Sequence, residues 1–151
     1  MTSSSKEEGD DCIFCSAISS KSYPSLVVYR GDRCFIILNK FPYNNGHLMV
    51  VPMRHAGTLA GINEDEFNEL THLIRTAEVV LTEAYKPHGI NIGMNLGRSA
   101  GAGIVGHLHV HIVPRWEGDT NFITTVADTR VIPEQCEDTL KRLQPIFKRL
   151  T

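Results

Sequence analysis

The sequence predicts an α+β fold with a five-stranded antiparallel sheet and two main helices. Five short segments, each bounded by Gly, Pro, Asn or Asp, have the composition of β-strands. Three of them follow one another before any helical pattern begins, and this order favours antiparallel pairing. Two longer segments carry apolar residues at helical spacing.

The predicted strands are short and separated by turn-forming residues. A turn at Gly31 and Asp32 joins the first two, and a loop rich in Pro, Asn and Gly separates the second from the third. The fifth strand contains the alternating histidines that are discussed below. In chain order, the strands are expected at 26–30, 34–39, 47–52, 90–95 and from 107 onward.

The first main helix has a recognisable start. Asn63 is placed to cap it, and Glu66, three residues later, can complete a capping box. A second helix is expected near the C-terminus, at 140–150, kinked or restarted near Pro145. The apolar stripe expected on the first helix consists of Phe67, Leu70, Leu73, Ile74, Ala77, Leu81 and Ala84.

The composition is typical of one globular domain. The chain has 151 residues, of which 42% are hydrophobic and 21% are charged, so it can bury a sizeable core without disulfides. Its net charge of −2 gives no support for a nucleic-acid-binding surface. Its apolar runs are too short for a transmembrane helix. We therefore expect neither a nucleic acid nor a membrane as partner.

The N-terminal segment, 1–11, is polar and lacks the apolar region of a signal peptide. Its composition predicts a disordered tail, followed by a single domain at 12–151. We expect a cytoplasmic location. Four cysteines in that compartment are expected to be reduced or metal-bound rather than paired in disulfides.

Three histidines at alternate positions are the strongest functional signal in the sequence. On a strand, His107, His109 and His111 would all point to one face, while the apolar residues between them point to the other. Packing alone does not explain them, since Val or Thr suits a strand better than His. Two interpretations remain open from the residues: the histidines hold a catalytic zinc, or one is a nucleophile within a polar shell.

A glycine-rich segment, 96–106, directly precedes these histidines. Glycine allows the backbone to approach a ligand closely, and successive N–H groups form anion-binding concavities. The segment is therefore interpreted as a phosphate-binding loop rather than a merely flexible hairpin. It does not end in the Gly-Lys-Ser/Thr pattern of a P-loop.

Residues 106–113, Gly-His-Leu-His-Val-His-Ile-Val, match the signature of the histidine triad family, which this chain resembles over nearly its whole length. Cys12-Ile-Phe-Cys15 resembles the N-terminal Cys-x-x-Cys of family members. Asn39 precedes His47 by eight residues, as the ribose-binding Asn or Asp does in the family. Segments 95–103 and 114–122 resemble the bacterial diadenosine tetraphosphate phosphorylase branch.

The resemblance implies a role for each of these residues. His109 would attack an α-phosphate, with its N–H held by the backbone carbonyl of His107, while His111 would donate to the phosphate oxygens. The remaining nucleotide contacts implied by the family are ribose contacts from Asn39, a pocket contact from His47, phosphate contacts from Asn95, Gly101 and Gly103, and a base wall of Phe14, Ile37 and Leu38.

The resemblance also implies a structural zinc with Cys12, Cys15, His55 and His107 as ligands. Two thiolates and two imidazoles make a closed tetrahedral site. A Cys-x-x-Cys without metal is the alternative, and a thioredoxin-like role is disfavoured because no matching βαβ unit follows. No organic cofactor is expected.

The implied activity is nucleotidyl transfer or hydrolysis on dinucleoside polyphosphates, with diadenosine tetraphosphate as the preferred substrate and phosphate or water as the acceptor. The alternatives are a purine nucleoside phosphoramidase or adenylyl-lysine hydrolase, a nucleotide-binding regulatory module, and a zinc hydrolase. Partners would be adenine nucleotides and a second copy of the chain in a homodimer, with a tetramer as the alternative.

One departure from the family pattern bears on the acceptor. Many members carry Gln-Ser or Gln-Thr before the triad, whereas this chain has Ala102-Gly103-Ile104. Small residues there would leave room for an incoming phosphate. Arg98 and Arg115 are candidates for charge-assisted bonds to it.

Overall fold

The computed structural model describes residues 12–19, 25–104, 106–120 and 134–151. The predicted disordered tail, 1–11, lies outside the described residues, as do positions 121 and 122 of the branch-like segment. The division into a tail and a single domain at 12–151 therefore stays a prediction.

The predicted five-stranded antiparallel sheet is confirmed, with the strand order β1-β2-β3-β5-β4. Every neighbouring pair is antiparallel, and β5 lies between β3 and β4. Strand ends either match the sequence-based expectation or differ from it by up to three residues. The largest difference is in the fifth strand, which begins at Val110, so that of the three histidines only His111 lies within it. The strands are β1 (Val27–Arg30), β2 (Cys34–Leu38), β3 (Leu48–Pro52), β4 (Gly89–Gly93) and β5 (Val110–Arg115).

Alternation along the strands divides the buried apolar residues between the two faces of the sheet. On β2, Cys34, Ile36 and Leu38 join the larger cluster, which includes residues of the two long helices, while Phe35 and Ile37 join the smaller one. The apolar residues between the histidines belong to the larger cluster, as predicted: they are Leu108, Val110 and Ile112. The imidazoles are therefore directed toward the smaller cluster, which contains Phe14.

Helix α2 (Glu64–Tyr85) begins with the predicted capping box, in which Asn63 accepts from the Glu66 amide at 2.9 Å. The expected apolar stripe is wrong at Phe67, which is 45% exposed. At 100° per residue, Phe67 lies about a quarter turn from the line through the buried positions. The buried residues of this helix are Glu66, Leu70, Leu73, Ala77, Val80 and Leu81.

Two further helices complete the described fold. Helix α1 (Ile13–Ser19) was not predicted from the sequence, and it carries Phe14 into the smaller cluster. Helix α3 (Cys136–Leu150) starts earlier than expected and is assigned continuously through Pro145, although Pro145 cannot donate a backbone hydrogen bond. No helix in the described part of the chain has the length and apolar character needed to span a membrane.

Candidate active site and metal-ligand cluster

Four side chains from three separate parts of the chain meet beside the first histidine of the triad. The ligand atoms of Cys12, Cys15, His55 and His107 all lie within 4.8 Å of one another. The Cys12 Sγ lies 3.3 Å from His107 Nδ1, and the Cys15 Sγ lies 3.4 Å from His55 Nδ1. A Cβ at Gly106 would lie 3.1 Å from His55 Nε2, so the backbone passes this ring closely. The structure thus brings together the four predicted zinc ligands.

The hydrogen bonds of His107 leave it in the tautomer that a metal ligand in this cluster would need. Its Nε2 lies 2.7 Å from the Pro52 carbonyl, which can only accept, so Nε2 carries the proton. Neutral His107 then has its lone pair on Nδ1, the nitrogen that faces both thiols. A backbone carbonyl that fixes a ligating histidine in this way is typical of metal sites. The donor set and the tautomer both fit a closed zinc site.

The middle histidine is oriented by the backbone of the first. His109 Nδ1 lies 2.9 Å from the His107 carbonyl oxygen, so this nitrogen donates and Nε2 keeps the lone pair. The ring is 6% exposed and packs against Phe14, with the ring centroids 5.1 Å apart. His109 therefore presents an unprotonated ring nitrogen held in one orientation, which is what a nucleophile requires.

The third histidine belongs to a different set of contacts. His111 Nδ1 lies 2.9 Å from His47 Nε2, and the Tyr43 amide donates to His47 Nδ1 at 3.1 Å. Because His47 Nδ1 accepts, neutral His47 carries its proton on Nε2 and donates to His111. His111 Nδ1 then accepts, which leaves the proton of neutral His111 on Nε2. This chain of bonds makes His111 a donor beside the nucleophilic candidate, and the ring centroids of His109 and His111 are 5.0 Å apart.

Burial keeps this part of the site uncharged. It lowers the pKa of His47 to about 3, with a smaller contribution from the nearby His111. Burial also lowers the pKa of His111, and the charge of His109 adds to this effect. Near neutral pH both rings are therefore neutral, as the tautomer chain requires.

The residues predicted to contact the nucleotide differ in burial and in the face of the sheet on which they lie. Asn39 is half-buried next to His47, and its Oδ1 accepts from the Phe41 amide at 2.9 Å. Phe14 is fully buried beneath His107 and His109, so its described contacts are with the histidine rings. Of the other two predicted wall residues, Ile37 belongs to the smaller cluster, whereas Leu38 belongs to the larger cluster on the opposite face.

Several backbone amides of the glycine-rich loop form hydrogen bonds within the loop itself. The amides of Ala100, Gly101 and Ala102 donate to carbonyls of Gly97 and Arg98, around a short 3₁₀ turn at Arg98–Ala100. Gly97 and Gly101 have φ values of 83° and 92°, a region that favours glycine. The side chain of Asn95 is exposed, and its Nδ2 lies 3.5 Å from the Gly101 carbonyl oxygen. In this conformation those three amides are directed to the loop itself, and Gly103 follows them in the chain.

The model of the HIT domain family matches residues 20–118. The chain belongs to this family. The histidine triad resemblance found in the sequence is thereby confirmed.

Individual relatives of this HIT domain protein agree with that assignment. An AP-4-A phosphorylase of Mycobacterium tuberculosis (strain CDC 1551 / Oshkosh) is 48% identical over 124 residues, 82% of this chain. The chain spans only 64% of the length of that relative. The solved structure of a hypothetical histidine triad nucleotide-binding protein from Sulfolobus tokodaii has 33% identity and a TM-score of 0.76, covering 92% of this chain and 93% of the other. A Zn-bound histidine triad family protein from Mycobacterium smegmatis has 26% identity and the same TM-score, covering 94% and 96%.

Sequence reasoning missed two contributors to the site of this HIT domain protein. One is the Pro52 carbonyl that fixes His107, a backbone group that carries no side-chain signal. The other is Tyr43, whose ring stacks on His47 with a centroid distance of 5.1 Å and whose amide fixes the His47 tautomer. An aromatic residue four positions before His47 was the available signal for Tyr43.

Proposed function

We propose that this chain is a nucleotidyl transferase or hydrolase that cleaves dinucleoside polyphosphates, with diadenosine tetraphosphate as the preferred substrate. The observation that carries the proposal is the 2.9 Å contact between His109 Nδ1 and the His107 carbonyl oxygen. Because Nδ1 donates in this contact, Nε2 of His109 keeps a lone pair that can attack phosphorus. The name of the mycobacterial relative, an AP-4-A phosphorylase, supports the substrate class.

The proposed reaction has two displacement steps. His109 Nε2 attacks an α-phosphorus, and the bond from that phosphorus to the bridging oxygen breaks. The polyphosphate leaves as an anion whose bridging oxygen accepts a hydrogen bond from His111 Nε2, and His111 keeps its proton. Water, which releases a proton to solvent, or inorganic phosphate then attacks the nucleotidyl-histidine, the P–N bond breaks, and His109 returns to its neutral form. Two easier steps replace one difficult one. In this proposal Asn39 contacts the ribose, His47 holds His111, and Asn95, Gly101 and Gly103 lie along the phosphates.

The metal-ligand cluster has a separate role in this proposal. Cys12, Cys15, His55 and His107 would hold one zinc ion, whose contribution would be to tie helix α1 and the loop after β3 to the start of the histidine run. With four protein ligands the metal would have no open position for a substrate. The same cluster disfavours a zinc hydrolase, because His107 faces the thiols while His111 faces His47.

The proposal includes a homodimer, a cytoplasmic location and an adenine nucleotide as the bound product. Strand β4 supports the dimer, because it forms one edge of the sheet and four of its five residues are exposed. Its Ile92 is 47% exposed. An exposed edge with an apolar residue is suited to pairing with a second copy. Sedimentation analysis tests this part independently.

Product analysis of diadenosine tetraphosphate cleavage across phosphate concentrations is the decisive experiment. Phosphorolysis yields ADP and ATP, whereas hydrolysis yields AMP and ATP. Quenching a reaction of labelled substrate with an alkaline denaturant should trap label on the protein, because a P–N bond to histidine survives base but not acid, and the H109N variant should trap none. Faster cleavage of a phosphoramidate or adenylyl-lysine would replace this proposal with the phosphoramidase activity. Tight binding without turnover would replace it with a regulatory module.

A further inference from the structure

A cavity lies next to the histidine pair His47 and His111, and the reaction described above does not use it. Its volume is about 240 Å³, and it is lined by Tyr43, Asn44, Asn91, Val113, Arg115 and Thr120. Pockets that hold drug-sized molecules are larger, roughly 300–1,000 Å³. This cavity is therefore of a size for one planar ring system.

The position of the cavity links it to the leaving-group side of the site. Val113 lies two residues beyond His111 on the same face of β5, roughly 6.6 Å along the strand. Asn91 on β4 is directly opposite Val113. Tyr43 joins the two sites, since its ring stacks on His47 and also lines the cavity. In the proposed reaction the polyphosphate leaves beside His111, so the cavity lies next to the leaving group.

The charge of the cavity favours an uncharged ligand group over a phosphate. Among the described lining residues Arg115 is the only cation, and both its Nε and one terminal nitrogen bind the carboxylate of Asp119. This pair holds the pKa of Asp119 well below its usual range, so the carboxylate stays ionised and balances the guanidinium. Arg115 also donates to the Asn91 side-chain oxygen at 2.8 Å.

The same contacts leave one donor and one acceptor for a ligand. Asn44 uses its amide nitrogen on the Pro114 carbonyl and on Asp119, and Asn91 uses its oxygen on Arg115. Among the described residues, no bond is recorded for the Asn44 oxygen or the Asn91 nitrogen. A fixed donor and acceptor beside an aromatic ring and an apolar floor suit the polar edge and flat face of a nucleobase.

We propose that this cavity binds the base of the second nucleoside of the substrate, the one that leaves with the polyphosphate. The inference rests on the proposed function and deepens it, because it gives the enzyme a structural reason to prefer a dinucleoside polyphosphate over a mononucleoside one. Asn44 and Asn91 contact the base edge, Tyr43 forms one wall, and Val113 forms the floor.

The test compares two substrates that differ only in the second nucleoside: diadenosine tetraphosphate and adenosine 5′-tetraphosphate. The variant N91L removes the donor, and V113F fills the cavity from its floor. The matched control is N68L, because Asn68 is an exposed residue of helix α2. Binding to the same substrates is measured in the H109N background, and sedimentation analysis checks that each variant keeps the oligomeric state of the parent.

We expect N91L and V113F to lower kcat/KM for diadenosine tetraphosphate about tenfold, with adenosine 5′-tetraphosphate changed less than twofold and N68L unchanged on both. An equal loss on both substrates would show a general structural effect and would overturn the proposal, as would no loss on either. The proposed function fails separately, if the parent chain cleaves neither substrate.

Discussion

The two ends of one histidine run make different contacts. His107 is fully buried beside two thiols and a second imidazole, and its Nε2 is held by the backbone carbonyl of Pro52. His111 is half-buried and pairs with His47 instead. His109 lies between them and takes its orientation from the His107 backbone. Identical residues at equal spacing therefore face different surroundings. We call the side facing the thiols the metal-ligand end and the side facing His47 the chemical end, after the roles proposed for them.

Replacing the central histidine should give the largest effect, because His109 belongs to the chemical end of the run. We expect H109N to lower turnover at least a thousandfold, since the other triad ring that bonds to a backbone carbonyl, His107, turns its unprotonated nitrogen toward the thiols. Nucleotide affinity should stay within a few-fold. Single-turnover kinetics and equilibrium binding measure the two quantities.

The control for this variant is H72N, because His72 is exposed on helix α2. It should have parental activity. An H109N enzyme with turnover within tenfold of the parent would contradict the assignment of the nucleophile.

Removing the thiols should affect the metal-ligand end and largely spare the chemical end. The metal-replete protein is expected to contain one zinc per chain, and C12S/C15S to contain none. Structural zinc contributes several kcal/mol or more to folding, on the order of 10 in small zinc domains. We therefore expect a clear fall in Tm for the variant and a smaller fall in kcat, measured by calorimetry, elemental analysis and steady-state kinetics.

The matched control is C136S, which removes a thiol outside the cluster. A parent without zinc would contradict the metal site. A C12S/C15S variant that loses all activity while keeping its Tm would remove the distinction between the two ends.

The buried pair His47 and His111 should make folding sensitive to acid. The pKa of His47 is about 3 in the folded chain, below the usual 6.5, so only the unfolded chain binds this proton between those pH values. The free energy of unfolding should therefore fall as pH drops from 6.5 toward 3. One such group contributes at most about 1.4 kcal/mol per pH unit.

Denaturant titrations of the parent and H47Q across this range measure the effect. H47Q should have a shallower acid slope, by up to one proton. Identical slopes in the parent and H47Q would contradict the proposed neutral state of His47.

Removing the Asn39 side chain should weaken ribose binding without changing the chemical end. One or two hydrogen bonds are lost, each about 0.5–1.5 kcal/mol net. We expect N39A to raise KM about tenfold with kcat within threefold of the parent, measured with ribose and 2′,3′-dideoxyribose substrates. The dideoxy substrate should discriminate less in N39A than in the parent. Equal discrimination in both would show that Asn39 does not contact the ribose.

The sequence was a good guide to the elements and a partial guide to the contacts. Period-two alternation predicted the strands, because a strand places every second side chain on one side. It was only partly right for the histidines, since β5 begins at Val110 and His107 and His109 precede it. The capping box was also predictable from neighbouring residues, since Asn63 and Glu66 are only three positions apart, and it is confirmed. The spacing of the histidines alone left two functions open, since alternation says which face a ring is on but not what it meets there.

What the sequence could not supply depends on residues far apart in the chain. The Pro52 carbonyl and the Tyr43 amide fix two tautomers through backbone atoms, which have no side-chain signature. Helix α1 packs Phe14 against the rings of His107 and His109, a contact that the sequence did not indicate, and the contact of Phe14 with a nucleotide base stays a prediction. The glycine-rich loop shows the same limit, because glycine content does not reveal whether amides point to a ligand or to the loop's own carbonyls.

The smallest expected effect concerns the phosphate acceptor, for which Arg98 and Arg115 were both candidates. The structure distinguishes them: Arg115 is bound to Asp119 and Asn91, whereas Arg98 is exposed, with no ion pair recorded among the described residues. We therefore expect R98A to raise the phosphate concentration for half-maximal ADP formation about threefold, as exposed charge contacts contribute about 1 kcal/mol or less.

Arg115 lines the cavity proposed for the second nucleobase, so its replacement should change the affinity for diadenosine tetraphosphate instead. R115A should therefore leave the phosphate dependence unchanged. Product ratios across phosphate concentrations measure both variants, and a larger shift in R115A than in R98A would reverse the two roles. AMP as the sole product at saturating phosphate would mean that water is the acceptor, and neither arginine would then have a phosphate to bind.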